Sequence, residues 1–288
     1  MQKIGTVEGT KAILNKYPFI FQKKFGQNFL IDPRVLDKII EAADITKDDC
    51  VLEIGPGIGS VTQQLIEHAG KVISIEIDKQ LIPILEEQFG ECENFRLVHN
   101  DVLKVDLAKL IEEESPGKKI KVVANLPYYI TTPIIMGLLE HNLPIESITV
   151  MVQKEVADRL ASGPGSKQYG AITVAMNYYC TTSLVTDVPH NCFMPRPNVE
   201  SAVIKLVLHD KPPVQVNSQV QLLRIIKAAF SQRRKTLLNT LMSNGGFNLP
   251  KDKFKEILDN SGIGATTRGE TLSLEEFARL SDYIDEYK

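Results

Sequence analysis

The chain has 288 residues, of which 43% are hydrophobic, and a formal net charge of −3. This length suits one large domain with a smaller one, and the slightly acidic balance argues against a uniformly basic nucleic-acid binder. No apolar run approaches the roughly 18 residues that a membrane span requires, and residues 1–10 lack the apolar core of a signal peptide, so we expect a cytoplasmic protein without a membrane partner.

The first part of the chain combines a basic extension with a clear helix start. Residues 1–24 hold five lysines and one glutamate, and they form either a mobile tail or a segment that contacts phosphates. Val7–Tyr17 are compatible with one short helix. Asp32 followed by Pro33 is typical of a helix start, because aspartate caps free backbone N–H groups and proline suits the first turn. We expect this helix to reach about Ala43.

Strands and helices then alternate along the chain. The apolar, β-branched runs predict strands at Cys50–Ile54, Lys71–Ile77, Asn94–His99, Ile120–Asn125 and Ser147–Gln153, with Thr182–Val188 and Val199–Leu208 as an antiparallel pair. Between them the sequence predicts helices at Val61–Ala69 (capped by Ser60), up to about Phe89, at Asp106–Glu114, from Thr132-Pro133 onward and at Lys154–Ala161. This order predicts an α/β fold with a doubly wound, mostly parallel, seven-stranded sheet.

The pattern changes near residue 210. A loop at Gly163–Gly170 is expected to be flexible, and Lys211-Pro-Pro-Val ends the strand pattern. Beyond it only helical periodicity remains, at Gln219–Phe230, Arg234–Met242, Lys251–Asp259 and Leu274–Tyr287. We therefore predict one domain over residues 1–210 and a small all-α domain over residues 211–288.

The ends of three successive strands carry the residues of a nucleoside site. Gly55, in Glu53-Ile-Gly-Pro-Gly-Ile-Gly59, follows a strand and precedes a helix, so the backbone can approach a ligand closely. Glu76 lies 17 residues beyond this motif, where a carboxylate can accept both hydroxyls of a ribose. Asp101 ends the next strand and is placed to accept from an adenine amino group. A dehydrogenase fits this half of the chain too, although its third glycine would fall on Ser60.

The quartet Asn125-Leu-Pro-Tyr128 narrows the reaction. It resembles the Asn/Asp-Pro-Pro-Tyr/Phe signature of methyltransferases that act on exocyclic amino nitrogens, with Leu126 in the first proline position. The Asn125 side-chain oxygen and the Leu126 carbonyl can accept both N–H groups of an adenine N6, so alignment and electrostatics carry the rate without a basic side chain. Tyr128 offers a face on which a splayed-out base stacks. An ordinary proline turn without a ligand is the alternative.

Five segments of the chain are similar to one family. Lys24–Asp32, Leu52–Gly59, Asn125–Pro133, Phe193–Ser201 and Ala229–Leu237 resemble segments of the bacterial ribosomal RNA adenine dimethylase family, and the resemblance covers nearly the whole chain. It implies a class I methyltransferase domain that uses S-adenosylmethionine, releases S-adenosylhomocysteine and dimethylates N6 of two adjacent adenosines near the 3′ end of 16S rRNA. The partner would be the small ribosomal subunit or its precursor, and the protein would act as a monomer in ribosome biogenesis.

The resemblance also implies which residues hold the cofactor. Asn28 and Leu30 would line its pocket, and Gly55 would approach the methionine part. Glu76 would hold the ribose, and Asp101 would hold the adenine.

Further roles implied by the resemblance concern the target and the RNA. Asn125 would touch both cofactor and target, and Phe193 would stack on the target face opposite Tyr128. A basic cluster in the second domain would contact the rRNA backbone, although a solvated helix face is the alternative. Its residues are Arg224 and Lys227 on one predicted helix and Arg233, Arg234 and Lys235 early in the next.

Three other functions remain open. One is an enzyme of the macrolide-resistance type, which methylates one adenine of large-subunit rRNA; Phe193–Ser201 and Phe230–Leu237 favour the small-subunit enzyme instead. The second is an assembly factor that binds the immature small subunit and whose methylation is dispensable. The third is an NAD-dependent oxidoreductase, for which no residue suggests hydride chemistry. The four cysteines are scattered without CxxC spacing, so we expect idle thiols and no metal site.

Overall fold

The computed structural model describes residues 3–22, 25–264 and 266–287; Lys23 and Lys24, two lysines of the predicted extension, lie outside the described residues. Its strands are β1 (Phe29–Leu30), β2 (Cys50–Ile54), β3 (Lys71–Glu76), β4 (Phe95–His99), β5 (Ile120–Asn125), β6 (Ile145–Gln153), β7 (Cys180–Val188), β8 (Phe193–Met194) and β9 (Ser201–Leu208). Its α-helices are α1 (Val7–Lys16), α2 (Pro33–Ala43), α3 (Ser60–His68), α4 (Ile82–Phe89), α5 (Leu107–Glu114), α6 (Thr131–Glu140), α7 (Lys154–Leu160), α8 (Ala171–Tyr179), α9 (Gln219–Ala229), α10 (Leu237–Asn244), α11 (Lys251–Asn260) and α12 (Leu274–Glu286). None of these helices is long and apolar enough to cross a membrane.

Seven strands form the central sheet in the order β4-β3-β2-β5-β6-β9-β7. The neighbours from β4 to β6 run parallel, whereas β9 runs antiparallel to β6. The predicted doubly wound, mostly parallel, seven-stranded sheet is therefore confirmed. A second sheet pairs β1 with β8; it was not predicted, because two-residue strands leave no alternating pattern to detect.

The chain reverses its direction of winding between β2 and β5. From β2 it continues outward to β3 and β4, and it then returns to place β5 on the other side of β2. All five residues of β2 and the first five of β5 are buried, as expected for central parallel strands covered on both faces. The carboxyl ends of these two strands therefore border the crevice in which open α/β sheets bind ligands.

The N-terminal helix packs on the first part of the fold. Ile4 and Ile13 are 1% and 7% exposed, and they join an apolar cluster that includes Phe89. The backbone N–H of Ile4 donates to Oε1 of Gln63, 2.9 Å away. The short helix was predicted, but the described part of the extension is a packed element and not a mobile tail.

The turn between β2 and α3 differs in one detail from the prediction. Gly59, and not Ser60, is the N-cap of α3; it adopts a φ of 91°, and no side chain caps the helix. Ser60 is the first helical residue and is buried. A side chain at position 59 would meet the Phe89 ring, so only glycine fits this close approach.

One helix was missed, and the predicted start of another was wrong. The helix α8 was missed because it buries residues on most of its sides and so lacks an amphipathic pattern. The helix expected from Arg234 begins only at Leu237. Arg233–Lys235 therefore lie in the connection between α9 and α10, where the backbone N–H of Lys235 donates to the carbonyl of Gln232 in a turn.

The chain divides into two compact units. The first comprises the residues up to Ala157 together with Thr182–Leu208, and the second comprises Asp158–Thr181 and the residues from His209 onward. The second unit thus includes a segment that the prediction placed in the first domain, because Tyr169 is 1% exposed within the apolar core around α9–α12. Tyr169 Oη also donates to the Leu272 carbonyl at 2.9 Å, so the loop that was expected to be flexible is anchored.

We expect Gly59→Ala to lower the thermal midpoint of unfolding. A Cβ at this position would lie 2.4 Å from Cε2 of Phe89. The left-handed backbone adds about 1–2 kcal/mol for alanine, and overpacking adds about 1–3 kcal/mol. Circular dichroism should record a fall of about 2–4 °C for each kcal/mol lost.

Gly117→Ala is the matched control for this experiment. Gly117 has a φ of 68°, but a Cβ there would meet no atom within 4 Å. This variant should therefore show the backbone effect alone and a smaller fall in the midpoint. Equal falls for the two variants would show that contact with Phe89 does not constrain position 59.

Candidate functional site

A cleft opens at the carboxyl ends of β2, β3, β4 and β5. It encloses about 1030 Å³, including space open to solvent, and residues 25–30, 53–58, 60–61, 100–102 and 125–130 all contribute to its walls. Eight of the predicted site residues line this cleft: Asn28, Leu30, Gly55, Glu76, Asp101, Asn125, Leu126 and Tyr128. The structure therefore brings together, in one cleft, the residues that the sequence placed at separate strand ends.

Glu76 lies at the end of β3 with both carboxylate oxygens hydrogen-bonded. The backbone N–H of Gly57 donates to Oε2 at 3.2 Å, and the N–H of Asp78 donates to Oε1 at 2.8 Å. The residue is 5% exposed, and this burial raises its pKa to about 7, against the two backbone donors, which lower it. The carboxylate is thus held against the glycine turn, and its remaining lone pairs can accept hydroxyl groups.

Glu53 is a second buried carboxylate of the cleft, and sequence reasoning assigned it no role. It lies on β2, is 1% exposed, and its Oε2 accepts from Thr62 Oγ1 at 2.7 Å and from Ser74 Oγ at 2.6 Å. Burial raises its pKa to about 7. The sequence did contain a signal, because Glu53 lies at the start of the glycine motif on a strand that is otherwise apolar. Burial of an acidic residue is unfavourable and so suggests a specific role.

Asp101 follows β4 and lines the cleft beside its own turn. Its Oδ1 accepts from the Leu103 backbone N–H at 3.0 Å, and Lys104 Nζ lies 3.8 Å from Oδ2. The side chain is 25% exposed, so the carboxylate stabilises the turn and still faces the pocket. Its role toward an adenine remains a prediction.

The amide of Asn125 has a defined orientation. Its Nδ2 donates to the backbone carbonyl of Asn28 at 3.1 Å, which fixes the positions of the nitrogen and the oxygen. Among the described residues, no hydrogen bond uses the Asn125 Oδ1 or the Leu126 carbonyl oxygen. Both acceptors that the sequence proposed for an amino group are therefore available, while the Leu126 side chain is buried.

The two predicted stacking residues lie in different surroundings. Tyr128 lines the cleft, and its Oη lies 2.7 Å from Oγ of the buried Ser201. Burial raises the pKa of Tyr128. Phe193 is 1% exposed, pairs with Leu30 across the β1–β8 ladder and does not line the cleft. The structure places the Phe193 ring in the core, and stacking of a base between Tyr128 and Phe193 stays a prediction.

Tyr129 lines the cleft as well, although only its neighbour was predicted. Its side chain is 56% exposed. Burial, with the nearby charges of Asp101 and Glu76, raises its pKa. A Cβ built on Gly26 would lie 3.7 Å from Tyr129 Cδ1, so the segment before β1 reaches this ring.

The segment before β1 is held by a buried carboxylate that sequence reasoning also missed. Asp78 is 1% exposed, and it accepts from Gln22 Nε2 at 3.1 Å and from Gln27 Nε2 at 2.6 Å. Gln27 Oε1 accepts in turn from the Gln22 backbone N–H at 2.8 Å. These bonds tie Gln22 and Gln27 to Asp78, just beyond the end of β3. The only signal in the sequence was the spacing of Asp78 two residues after Glu76.

The predicted RNA-binding cations, all in the second unit, fall into two groups. Arg224 Nη2 donates to the Gly246 carbonyl at 2.6 Å, and its guanidinium carbon lies 4.6 Å from the centre of the Phe247 ring. Arg233 Nη2 donates to the Lys167 carbonyl at 2.5 Å. The other three have exposed side chains without an ion-pair partner among the described residues; they are Lys227, Arg234 and Lys235.

We expect the affinity for S-adenosylmethionine, the donor that the resemblance implies, to rise with pH through Glu76. Its pKa of about 7 leaves mostly neutral carboxylic acid at pH 6 and mostly carboxylate at pH 8, and a carboxylate is the stronger acceptor. If only the ionised form binds, the dissociation constant should fall about tenfold between these two values. Calorimetry at pH 6, 7 and 8 measures it.

Two variants separate Glu76 from other groups that titrate in this range. Glu76→Gln should bind weakly and lose this pH dependence, whereas Glu53→Gln should retain it. The amino group of the ligand also titrates near pH 8, but it contributes equally in all three proteins. The same pH dependence in Glu76→Gln as in the wild type would contradict the assignment.

Comparisons with known proteins show the family of the chain. The sequence model of the family "Ribosomal RNA adenine dimethylase" matches residues 19–286. The chain is 58% identical over 287 residues to a ribosomal RNA small subunit methyltransferase A of Lachnoclostridium phytofermentans, with 99% of both chains covered. It is 47% identical to the protein of the same name from Clostridioides difficile, covering 99% of this chain and 98% of the other.

Two solved structures of methyltransferases are also similar to this chain, at lower sequence identity. A dimethyladenosine transferase from Plasmodium falciparum superposes with a TM-score of 0.75 at 27% identity, over 87% of this chain and 95% of that one. The 23S rRNA methyltransferase ErmE superposes with a TM-score of 0.69 at 26% identity, over 90% of this chain and 100% of the other. With the family model matching nearly all of its length, the chain belongs to the ribosomal RNA adenine dimethylase family.

Proposed function

We propose that this protein transfers methyl groups from S-adenosylmethionine to N6 of two adjacent adenosines near the 3′ end of 16S rRNA. The choice of the small subunit rests on its curated relatives, which are named small subunit methyltransferases and are 47–58% identical to it. The main structural support for this reaction is the orientation of the Asn125 amide. Its nitrogen is hydrogen-bonded to the Asn28 carbonyl, so its oxygen is left for a target amino group.

The cleft fits S-adenosylmethionine by the nature of its walls. A Cβ built on Gly55 would meet no atom within 4 Å, so the backbone there is open to a ligand that must approach closely. Glu76 would accept the ribose hydroxyls, and Asp101 would accept from the adenine amino group. Asn28 and Leu30 would complete the pocket from the segment around β1. When bound, the cofactor supplies a methyl group on a positively charged sulfur, which is the electrophile.

The residues of the quartet would prepare the target nitrogen. The lone pair of an adenine N6 is delocalised into the ring, so the free amine is a poor nucleophile. Acceptance of its two N–H groups by Asn125 Oδ1 and the Leu126 carbonyl would pyramidalise the nitrogen and aim the lone pair. Tyr128 would hold the base by stacking. The amine becomes acidic only as positive charge develops on it, and solvent water in the open cleft then takes its proton. Alignment and fixed dipoles, and not a basic side chain, therefore supply the rate.

The second candidate function is methylation of a large-subunit adenine. It is favoured by the TM-score of 0.69 against a 23S rRNA methyltransferase, which shows that the same fold serves that substrate. The higher identity of the small-subunit relatives argues for 16S rRNA. Mass mapping of the nucleotides modified in each rRNA by the purified enzyme distinguishes the two.

The proposal also includes a partner, an oligomeric state and a location. The partner is the small ribosomal subunit or its precursor, and the enzyme acts on it as a monomer in the cytoplasm. A role in subunit assembly that does not need methylation is compatible with the same binding. A variant that binds subunits but cannot methylate would separate the two roles.

Asn125→Ala should lower turnover by about 10²-fold or more, the typical loss for one aligned, charge-stabilising group. The variant should fold, because Asn125 lies at the end of β5, and its affinity for the cofactor should fall only modestly. Asn125→Asp keeps an acceptor but loses the donor to the Asn28 carbonyl, so it should retain intermediate activity. Single-turnover methyl transfer to under-methylated small subunits, at saturating cofactor, is the measurement.

Asn28→Ala is the matched control for that measurement. It removes the bond from Asn28 Nδ2 to the Gly26 carbonyl, which is 3.0 Å long, but it keeps the backbone carbonyl that orients Asn125. Turnover at saturating cofactor should be largely retained. A wild-type rate for Asn125→Ala would make Asn125 a turn residue and would refute the mechanism.

Replacing both Arg234 and Lys235 by alanine should weaken binding to small subunits and flatten its salt dependence. Each lost phosphate contact reduces the slope of log K against log salt by roughly 0.7–0.9. Arg224→Ala should change the slope less, because its guanidinium is already bound to Gly246 and packed on Phe247. Filter binding between 50 and 200 mM salt tests this, and a wild-type slope in the double variant would identify the pair as a solvated surface.

A further inference from the structure

Positive and negative charges are segregated in the second unit. Residues 211–251 contain seven lysines and arginines and no aspartate or glutamate. The helix α12 (Leu274–Glu286), in contrast, contains five acidic residues and one arginine. Clustered cations bind polyanions even when the whole chain carries −3, because counterion release depends on local charge density.

A loop outside this basic run adds another cation in a defined position. Residues 163–170 are fixed on one side by Tyr169, whose Oη donates to the Leu272 carbonyl at 2.9 Å. On the other side, the Gly165 backbone N–H donates to the Glu270 carbonyl at 2.8 Å. Lys167 lies between these two anchors with an exposed side chain. Arg233 Nη2 donates to the Lys167 backbone carbonyl at 2.5 Å, which joins this loop to the connection between α9 and α10.

One carboxylate lies among these cations. Glu270 Oε2 is 3.8 Å from Arg233 Nε, and its Oε1 is 3.9 Å from Arg268 Nη1. The two arginine side chains are 55% and 53% exposed, and Glu270 is 29% exposed. Exposed pairs at such distances are weak and are easily exchanged for another anion.

We propose that residues 163–170, 230–236 and 268–270 form one phosphate-binding surface for RNA, in which Glu270 competes with the phosphates for Arg233 and Arg268. The inference rests on the proposed function, since it concerns how the same RNA is bound. It adds Lys167 and Arg268 to the cations expected from the sequence and assigns an opposing role to an acidic residue. The partner is identified by its charge, because repeated phosphates match cations held on three adjoining segments.

Competition by Glu270 would limit the affinity of this surface. A phosphate that binds Arg233 and Arg268 takes over the donors that Glu270 used, and it approaches the remaining negative charge. Both effects weaken phosphate binding equally for every RNA sequence, because contacts to phosphates do not distinguish one base from another. Glu270 would therefore lower the affinity of this surface for RNA in general. Contacts that depend on the shape of a particular RNA would be unaffected.

Glu270→Gln tests the proposal, because it removes the charge and keeps the size of the side chain. Its affinity for small subunits at 100 mM salt should rise about two- to fivefold, the range set by exposed charge pairs. The gain should shrink as salt is raised, since the interaction is screened. Lys167→Gln should have the opposite effect and reduce the salt slope by roughly 0.7–0.9.

Glu256→Gln is the matched control. Glu256 is an exposed carboxylate of the same unit, which accepts from Lys253 Nζ at 2.8 Å and from Tyr287 Oη at 2.9 Å. Glu256→Gln changes the net charge by the same amount but at a position away from Glu270 and its partners. The affinity of this variant for small subunits should therefore stay near that of the wild type. Thermal unfolding of each variant confirms that the unit is folded before binding is measured.

The outcomes separate this inference from the proposed function. An unchanged or weaker affinity for folded Glu270→Gln, with Arg234 and Lys235 still required, would overturn the competition and leave RNA binding intact. An equal gain for Glu270→Gln and Glu256→Gln would show a general charge effect and would overturn it too. Absence of methyl transfer to small subunits by the wild-type protein would instead contradict the proposed function.

Discussion

The hydrogen bond from Asn125 Nδ2 to the Asn28 carbonyl is the contact on which the site depends. It joins residues 97 positions apart, at 3.1 Å. Asn125 ends the central strand β5. Asn28 directly precedes β1, which is paired with β8, and directly follows Gln27, which is bonded to Asp78. An asparagine amide can rotate by half a turn at little steric cost, so only such a fixed carbonyl decides which atom faces the pocket. The antiparallel β1–β8 pair and the buried Asp78 thus help to orient Asn125 Oδ1, because they hold the segment that contains the Asn28 carbonyl.

The same region contains two buried carboxylates that oppose folding. The pKa values of Glu53 and Glu76 are raised from 4.5 to about 7 by burial. The folded state therefore holds these protons more tightly than the unfolded chain does. Stability is unaffected below pH 4.5, falls as the pH rises from there toward 7, and levels off above that value. Retention of two such groups is typical of a site where function overrides stability, since hydroxyl donors of a bound nucleoside would stabilise the charged form.

The sequence predicted the parts of this molecule that depend on local pattern. Strands β2 and β5 were predicted with their observed bounds, and the site residues at their ends meet in one cleft. Long-range contacts decided the rest. The cap at Gly59 follows from the Phe89 ring packed against it, and Phe193 is buried because two-residue strands pair across the chain. The Gln27–Asp78 bond joins residues 51 positions apart, so neither periodicity nor a turn signal could reveal it.

Substrate choice is a separate problem from the chemistry of the cleft. A 23S rRNA methyltransferase shares this fold over 90% of the chain, and the proposed acceptors of Asn125 and Leu126 would bind an amino group that every adenine carries. The cleft alone therefore cannot distinguish one rRNA from another. Discrimination has to come from surfaces that contact RNA away from the target base, where position depends on the shape of the folded RNA. In the second unit the proposed surface combines exposed cations with Glu270, and weak phosphate binding there would make shape complementarity decisive, because uniformly strong contacts would hold any RNA equally well.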